Sequence, residues 1–147
     1  MSAGPILAAK DAEDLEIISA QLQDAVARVK DLVWLPKSRR FAALFNRFKW
    51  EEAEKQGTAL RVRAGLCFDD VLSAKSRNIR YDQPDSVLSL LTIRYTRNGQ
   101  EDPSGTVELT FSGGGIIRLD VECLEASLSD VSGEWAARGR PVHPIET

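Results

Sequence analysis

The chain has 147 residues, of which 43% are hydrophobic and 28% are charged. This composition is typical of one globular domain with a hydrophobic core of its own. No apolar run approaches the roughly 20 residues that a membrane-spanning helix needs. The first residues lack the basic region and the long apolar stretch of a secretory signal. The composition therefore argues against a membrane partner and predicts a cytoplasmic protein.

The net charge of −3 is unevenly distributed along the chain. Residues 1–27 carry a net charge of −4, residues 28–97 carry +7, and residues 98–147 carry −6. Two interpretations stay open at this point. Acidic helices could pair internally with basic strands, or a basic surface could bind an anion.

The start of the chain is predicted to form a helix. Asp11 is a favourable N-cap residue, and acidic residues follow it in the first turn, where the helix dipole stabilises carboxylates. Apolar residues then recur at helical spacing: Leu15, Ile18, Leu22 and Ala25. The helix should end between Asp24 and Ala27.

Several strands are predicted after this helix. Val26 to Leu35 and Arg39 to Trp50 flank the turn Pro36-Lys37-Ser38, and this arrangement predicts a β-hairpin. Alternation of apolar and polar residues predicts further strands at Thr58 to Ala64 and at Val87 to Tyr95.

The stretch from Gly105 to Val131 has a pattern of its own. Two alternating segments flank the glycines Gly113 to Gly115, which predicts a second hairpin with a tight turn. Apolar residues after this hairpin fall at steps of three, four and three residues: Val121, Leu124, Leu128 and Val131. This spacing predicts an amphipathic C-terminal helix.

The predicted elements together indicate an α+β fold. It has an N-terminal helix, about seven mostly antiparallel strands in a curved sheet or partly open barrel, and a C-terminal capping helix. This outline is similar to that of pleckstrin-homology-like barrels, an architectural likeness that carries no function. Residues 1–131 are predicted to form one domain, and residues 132–147, with their glycines and prolines, a loosely packed tail.

No combination of residues predicts a catalytic, cofactor or metal site. His143, the only histidine, lies in the predicted tail, and one histidine with the two cysteines Cys67 and Cys123 cannot complete a four-ligand zinc site. The adjacent carboxylates Asp69 and Asp70 would point to opposite faces of a strand, so a turn or bulge is the simpler interpretation.

A basic group on the early strands is the candidate binding site. If these strands pair, the arginines could share one face, with an aromatic residue beside them. The candidate ligand or partner residues are Arg39, Arg40, Arg47, Arg61, Arg63 and Trp50. The overall acidity and the lack of a basic run argue against nucleic acid as the ligand.

Three segments of the chain resemble a known family. They are Asp11 to Val29, Leu35 to Glu51, which contains Leu-Pro-Lys before Arg-Arg-Phe and Asn-Arg-Phe, and Phe111 to Asp130. These segments are similar to those of small bacterial proteins classified only as a domain of unknown function. The resemblance implies a stand-alone cytoplasmic bacterial domain, with no assigned activity, cofactor or catalytic residue.

The functional expectation is a non-enzymatic interaction or scaffold domain that binds another protein through the hairpin from Trp34 to Trp50. The alternative is a small-ligand domain that binds an anionic molecule on a basic sheet face. A third interpretation is an enzyme that uses Asp69 or Asp70.

Overall fold

A computed structural model describes residues 6–48 and 61–131 of the chain. These residues form ten β-strands and one α-helix. The elements are β1 (Ile6–Ala9), α1 (Ala12–Gln21), β2 (Val26–Arg28), β3 (Leu32–Leu35), β4 (Arg40–Phe48), β5 (Arg61–Phe68), β6 (Val71–Arg77), β7 (Val87–Arg97), β8 (Gly105–Phe111), β9 (Ile116–Val121) and β10 (Ala126–Val131).

Helix α1 forms where the sequence predicts it. The Asp11 carboxylate accepts a hydrogen bond from the Asp14 backbone N–H at 2.8 Å, which satisfies one free donor of the first turn. Leu15 and Ile18 are buried on the face that packs against β7. Leu22 is the C-cap, so the helix ends slightly earlier than predicted.

The strands pair antiparallel in the order β1-β10-β5-β4-β2-β7-β8-β9-β6, and β3 pairs with β4 beside β2. Both predicted hairpins form, although the first strand predicted for the first hairpin, Val26 to Leu35, is interrupted at Val29–Asp31 and only β3 forms the hairpin with β4. In the second hairpin, Gly113 and Gly114 have φ angles of 82° and 93°, which glycine adopts without a steric penalty.

Two bends in the chain, between β5 and β6 and between β9 and β10, close the sheet on itself. Strands β5 and β6 are separated only by Asp69 and Asp70, while β9 and β10 are separated by residues 122–125. The two bends are joined because the Asp69 N–H donates to the Glu125 carbonyl and the Glu122 N–H donates to the Asp70 carbonyl, each at 2.9 Å. Since β5 pairs with β10 and β6 pairs with β9, the sheet curves round into a ring of paired strands around the core.

The core lies inside this curved sheet, beneath α1. Buried and less buried residues alternate along β8, β9 and the start of β10, as they do in strands with one face on a core. The largest fully buried side chains are aromatic residues from β4, β5 and β8: Phe41, Phe45, Phe68 and Phe111.

The prediction of a C-terminal capping helix is wrong. Leu124 in the β9–β10 bend and Ala126 and Leu128 in β10 are all buried, so the burial period from Leu124 onward is two residues rather than 3.6. Strand β10 pairs with β1 on one side and β5 on the other, which satisfies its backbone groups within the sheet. Two further predictions are wrong for the same reason. The structure has ten strands rather than about seven, and it lacks the C-terminal helix of the pleckstrin-homology-like outline within the described residues.

Candidate anion-binding surface

The structure gives three of the predicted arginines, Arg39, Arg40 and Arg47, separate carboxylate partners. Arg39 forms an ion pair with Glu122 at 3.2 Å, and Arg40 forms one with Asp69 at 2.8 Å. The hydrogen bond to Asp69 raises the pKa of the Arg40 guanidinium above its usual value. Both cations are therefore already held by carboxylates from other elements.

Arg47 has a structural role between β4 and β10. Its guanidinium donates two hydrogen bonds to the Asp130 carboxylate, at 3.1 and 2.9 Å, and a longer one of 3.5 Å to the Gln21 side chain. The side chains of Arg47 and Asp130 are only 13% and 15% exposed. This bidentate pair ties β4 to β10 and to the end of α1.

Of the remaining predicted residues, only Arg63 has a described side chain. Arg63 is exposed on β5, where it lies opposite Asn46 and Val131. The side chains of Arg61 and Trp50 lie outside the described residues, as does His143.

The two adjacent carboxylates also have separate partners. Asp69 binds Arg40, whereas Asp70, at a φ of 57°, accepts a hydrogen bond from the Cys123 thiol at 3.3 Å. The chain bends at these two residues, which agrees with the interpretation of a turn or bulge. Partial burial and the Asp70 carboxylate raise the pKa of the Cys123 thiol, so the thiol favours its protonated form. Within the described ranges, no group of three or more potential ligand residues could hold a metal ion.

A different basic surface lies on the outer side of β7, β8, β9 and β6, which we call the basic face. Along each of these strands, outward-facing residues alternate with buried ones. The register of the strand pairs therefore shows which outward-facing residues are neighbours. The central row across the four strands is Arg94, Glu108, Arg118 and Lys75. The flanking rows are Thr92, Thr110, Ile116 and Arg77 on one side, and Thr96, Thr106, Asp120 and Ser73 on the other.

Three cations of the basic face line one depression. Lys75 lies directly opposite Arg118 across the β6–β9 pair, and Arg77 follows two residues along β6. With Ser76, Glu108 and Ile116 they line a depression of about 270 Å³. Glu108 contacts Arg118 at 3.4 Å, and both side chains are substantially exposed, at 40% and 58%.

Sequence reasoning did not find this cluster. The alternation around Ile117 and Leu119 does place Arg118 on the polar side of its strand. Lys75 and Arg77 lie about forty residues earlier in the chain, and only the pairing of β6 with β9 brings them beside Arg118. No local pattern specifies that pairing, because β6 and β9 are not joined by a hairpin.

A second cleft, of about 650 Å³, lies at the start of α1. It combines cations with carboxylates, and Lys10 and Glu125 already contact each other at 3.5 Å. Asp11 caps the N-terminus of α1 at this cleft. The Asp14 backbone N–H of the first helical turn therefore already has an acceptor. The mixed charge makes this cleft a weaker candidate than the basic face.

The model of a family described as "protein of unknown function (DUF2948)" matches residues 6–143. The chain belongs to this family. The match confirms the resemblance seen in the sequence, and the family description indicates no specific function. No curated protein and no solved structure matches the chain. None of the described helices is long and apolar enough to cross a membrane.

Proposed function

We propose that this chain is a non-enzymatic binding domain, and that the basic face recognises an anionic group on its partner. The observation that carries the proposal is the position of Lys75 directly opposite Arg118. Like charges at directly opposed positions of an antiparallel pair are destabilising, whereas favourable cross-strand pairs contribute about 0.2–1 kcal/mol each. Because a bound anion would remove this repulsion, the arrangement favours binding over a purely structural role.

The charges around Lys75 support the same interpretation. Within residues 6–48 and 61–131, no ion pair involves Lys75, Arg77 or Arg94, whereas Arg39 and Arg40 each contact a carboxylate. Lys75, Arg77 and Arg94 thus differ from Arg39, Arg40 and Arg47, each of which contacts a carboxylate, whereas Arg118 of the basic face is paired with Glu108.

Binding is favoured over catalysis by the positions of Asp69 and Asp70, which hold different partners instead of converging on one site. The hairpin that was expected to contact a protein partner is a weaker surface, because Trp34 is only 8% exposed. An acidic protein segment and an anionic small molecule would both use the basic face. A cytoplasmic location stays a prediction, as does the division into a domain of residues 1–131 and a loosely packed tail.

Thermal unfolding at low ionic strength tests the proposal. The probes are inorganic phosphate, citrate and polyglutamate, added to the parent protein, to the double variant Lys75→Gln/Arg77→Gln and to the control Arg63→Gln. A ligand at 100 times its Kd adds about 2.7 kcal/mol of stability. We expect at least one anion to raise the Tm of the parent and control but not that of the double variant. The proposal is wrong if no anion at millimolar concentration raises the Tm, or if all three proteins respond alike.

A further inference from the structure

We propose that the depression between β6 and β9 binds the phosphate group of a small phosphate monoester. This inference rests on the proposed function and names the ligand class of the same site. It follows from the geometry of the three cations, from their net charge and from the carboxylates that border them.

The cations around the depression offer two kinds of phosphate contact. Arg77 and Arg118 carry planar guanidinium groups, whose N–H fork matches two phosphate oxygens at once. Lys75 lies beside Arg118 and supplies a compact charge with three rotatable donors. Ile116, which lies opposite Arg77 and is half-buried, offers apolar contact to the carbon skeleton of the ester.

The charge of the depression matches a dianion. Lys75, Arg77 and Arg118 contribute three positive charges and Glu108 one negative charge, which leaves a net charge of +2 among the lining residues. A phosphate monoester carries about −1.5 to −2 at pH 7, whereas a single carboxylate carries −1. A phosphate monoester therefore neutralises the depression more completely than a carboxylate does.

The surroundings of the depression disfavour an extended polyanion. Glu108 separates Arg94 from Arg118 in the central row, and Asp120 follows in the next row, where it accepts hydrogen bonds from Ser73 and Thr106. A nucleic acid or polyacidic segment laid across the face would meet both carboxylates. The three outward rows contain no aromatic side chain on which a base could stack. A compact anion at the β6–β9 pair avoids these contacts.

Amide chemical shifts during ligand titration test this inference. The probes are glycerol 1-phosphate, glycerate as a carboxylate of similar size, and a short oligothymidylate. They are titrated into the parent, the double variant Lys75→Gln/Arg77→Gln and the control Arg63→Gln. The variant Arg77→Lys keeps the charge but removes the guanidinium fork, and it replaces the double variant if that protein does not fold.

We expect glycerol 1-phosphate to shift amides of β6 and β9 saturably, with an affinity about tenfold or more above that of glycerate. The double variant should lose about tenfold or more in affinity, Arg77→Lys should lose less, and Arg63→Gln should bind as the parent does. If glycerate or oligothymidylate binds the face as well as the phosphate ester, the ligand class is wrong but the proposed function stands. If no probe shifts these amides, the phosphate inference is wrong, and the proposed function survives only if citrate or polyglutamate raises the Tm. If Arg63→Gln weakens binding equally, both proposals are wrong.

Discussion

Arg47 and Asp130 form a two-point ion pair that spans β5 and joins β4 to β10. Both side chains are largely withdrawn from solvent, so the pair is screened less than the exposed ion pairs of this protein. The partners are 83 positions apart in the sequence. Their contact connects the first and last parts of the described chain.

We predict that Arg47→Met destabilises the protein by about 3 kcal/mol, near the lower end of the range for breaking a buried ion pair, because Asp130 loses its principal counter-charge. Adding Asp130→Leu should restore part of the loss, since it removes the uncompensated carboxylate. Arg40→Met is the control, because its ion pair is exposed and should contribute less than about 1 kcal/mol. Urea unfolding measures the free energy of unfolding of the single variant, the double variant and the control. A loss for Arg47→Met no larger than that of the control would contradict the structural role.

The elements that the sequence predicted correctly are those whose signals are local. Asp11 caps a helix within four residues of itself, and Gly113 and Gly114 provide the positive φ angles of the hairpin turn. Strand β10 was missed because the bend at residues 122–125 shifts the alternation, so Leu124 in the bend and Leu128 in β10 fall at helical spacing although neither lies in a helix.

The candidate site was less predictable than the fold. The arginines near the first hairpin were selected by their density in the sequence, but the counter-charges of Arg39, Arg40 and Arg47 come from distant elements. Whether a basic residue is neutralised depends on strand order, which local patterns do not encode. For the same reason, the sequence did not predict that Lys75 lies opposite Arg118.

Leu128 tests the corrected assignment of β10. It is 3% exposed, so Leu128→Ala should cost about 2–5 kcal/mol, as large-to-small substitutions in a core do. Its neighbour Ser129 faces outward, and Ser129→Ala should change stability by less than about 0.5 kcal/mol. If the two substitutions change the free energy of unfolding equally, buried and outward-facing residues do not alternate along β10 as described.

Gly105 is required by a close approach between β7 and β8. A Cβ at this position would lie 2.6 Å from the Tyr95 ring and would overlap the Thr96 carbonyl oxygen. Gly105→Ala should therefore cost about 1–3 kcal/mol, the range for overpacking. Gly65→Ala is the matched control, because its new methyl group would meet only Val131, at an ordinary 3.8 Å. If calorimetry gives both variants the same Tm, the strands are not so closely packed at Gly105.

The Cys123 thiol should react slowly with iodoacetamide at pH 8, because its raised pKa keeps the thiolate fraction low. Asp70→Asn removes the acceptor charge, lowers the pKa of the thiol and should speed the reaction. Asparagine tolerates the positive φ at this position, so the backbone should be retained. The measurement uses a Cys67→Ser background with Asp69→Asn as the control. An unchanged rate in Asp70→Asn would show that the contact with Cys123 does not control the thiol.

The stability of Lys75→Gln in the absence of added anions tests the central claim most directly. If Lys75 serves binding, its removal relieves repulsion with Arg118, so at low ionic strength the free energy of unfolding should stay equal or rise by about 0.2–1 kcal/mol. Arg63→Gln, which carries the same change of charge on β5, controls for the net charge. Chemical unfolding of the three proteins should give a Lys75→Gln variant at least as stable as the parent. A loss of more than about 1 kcal/mol would instead show that Lys75 supports the fold, and the basic face would not be a binding surface.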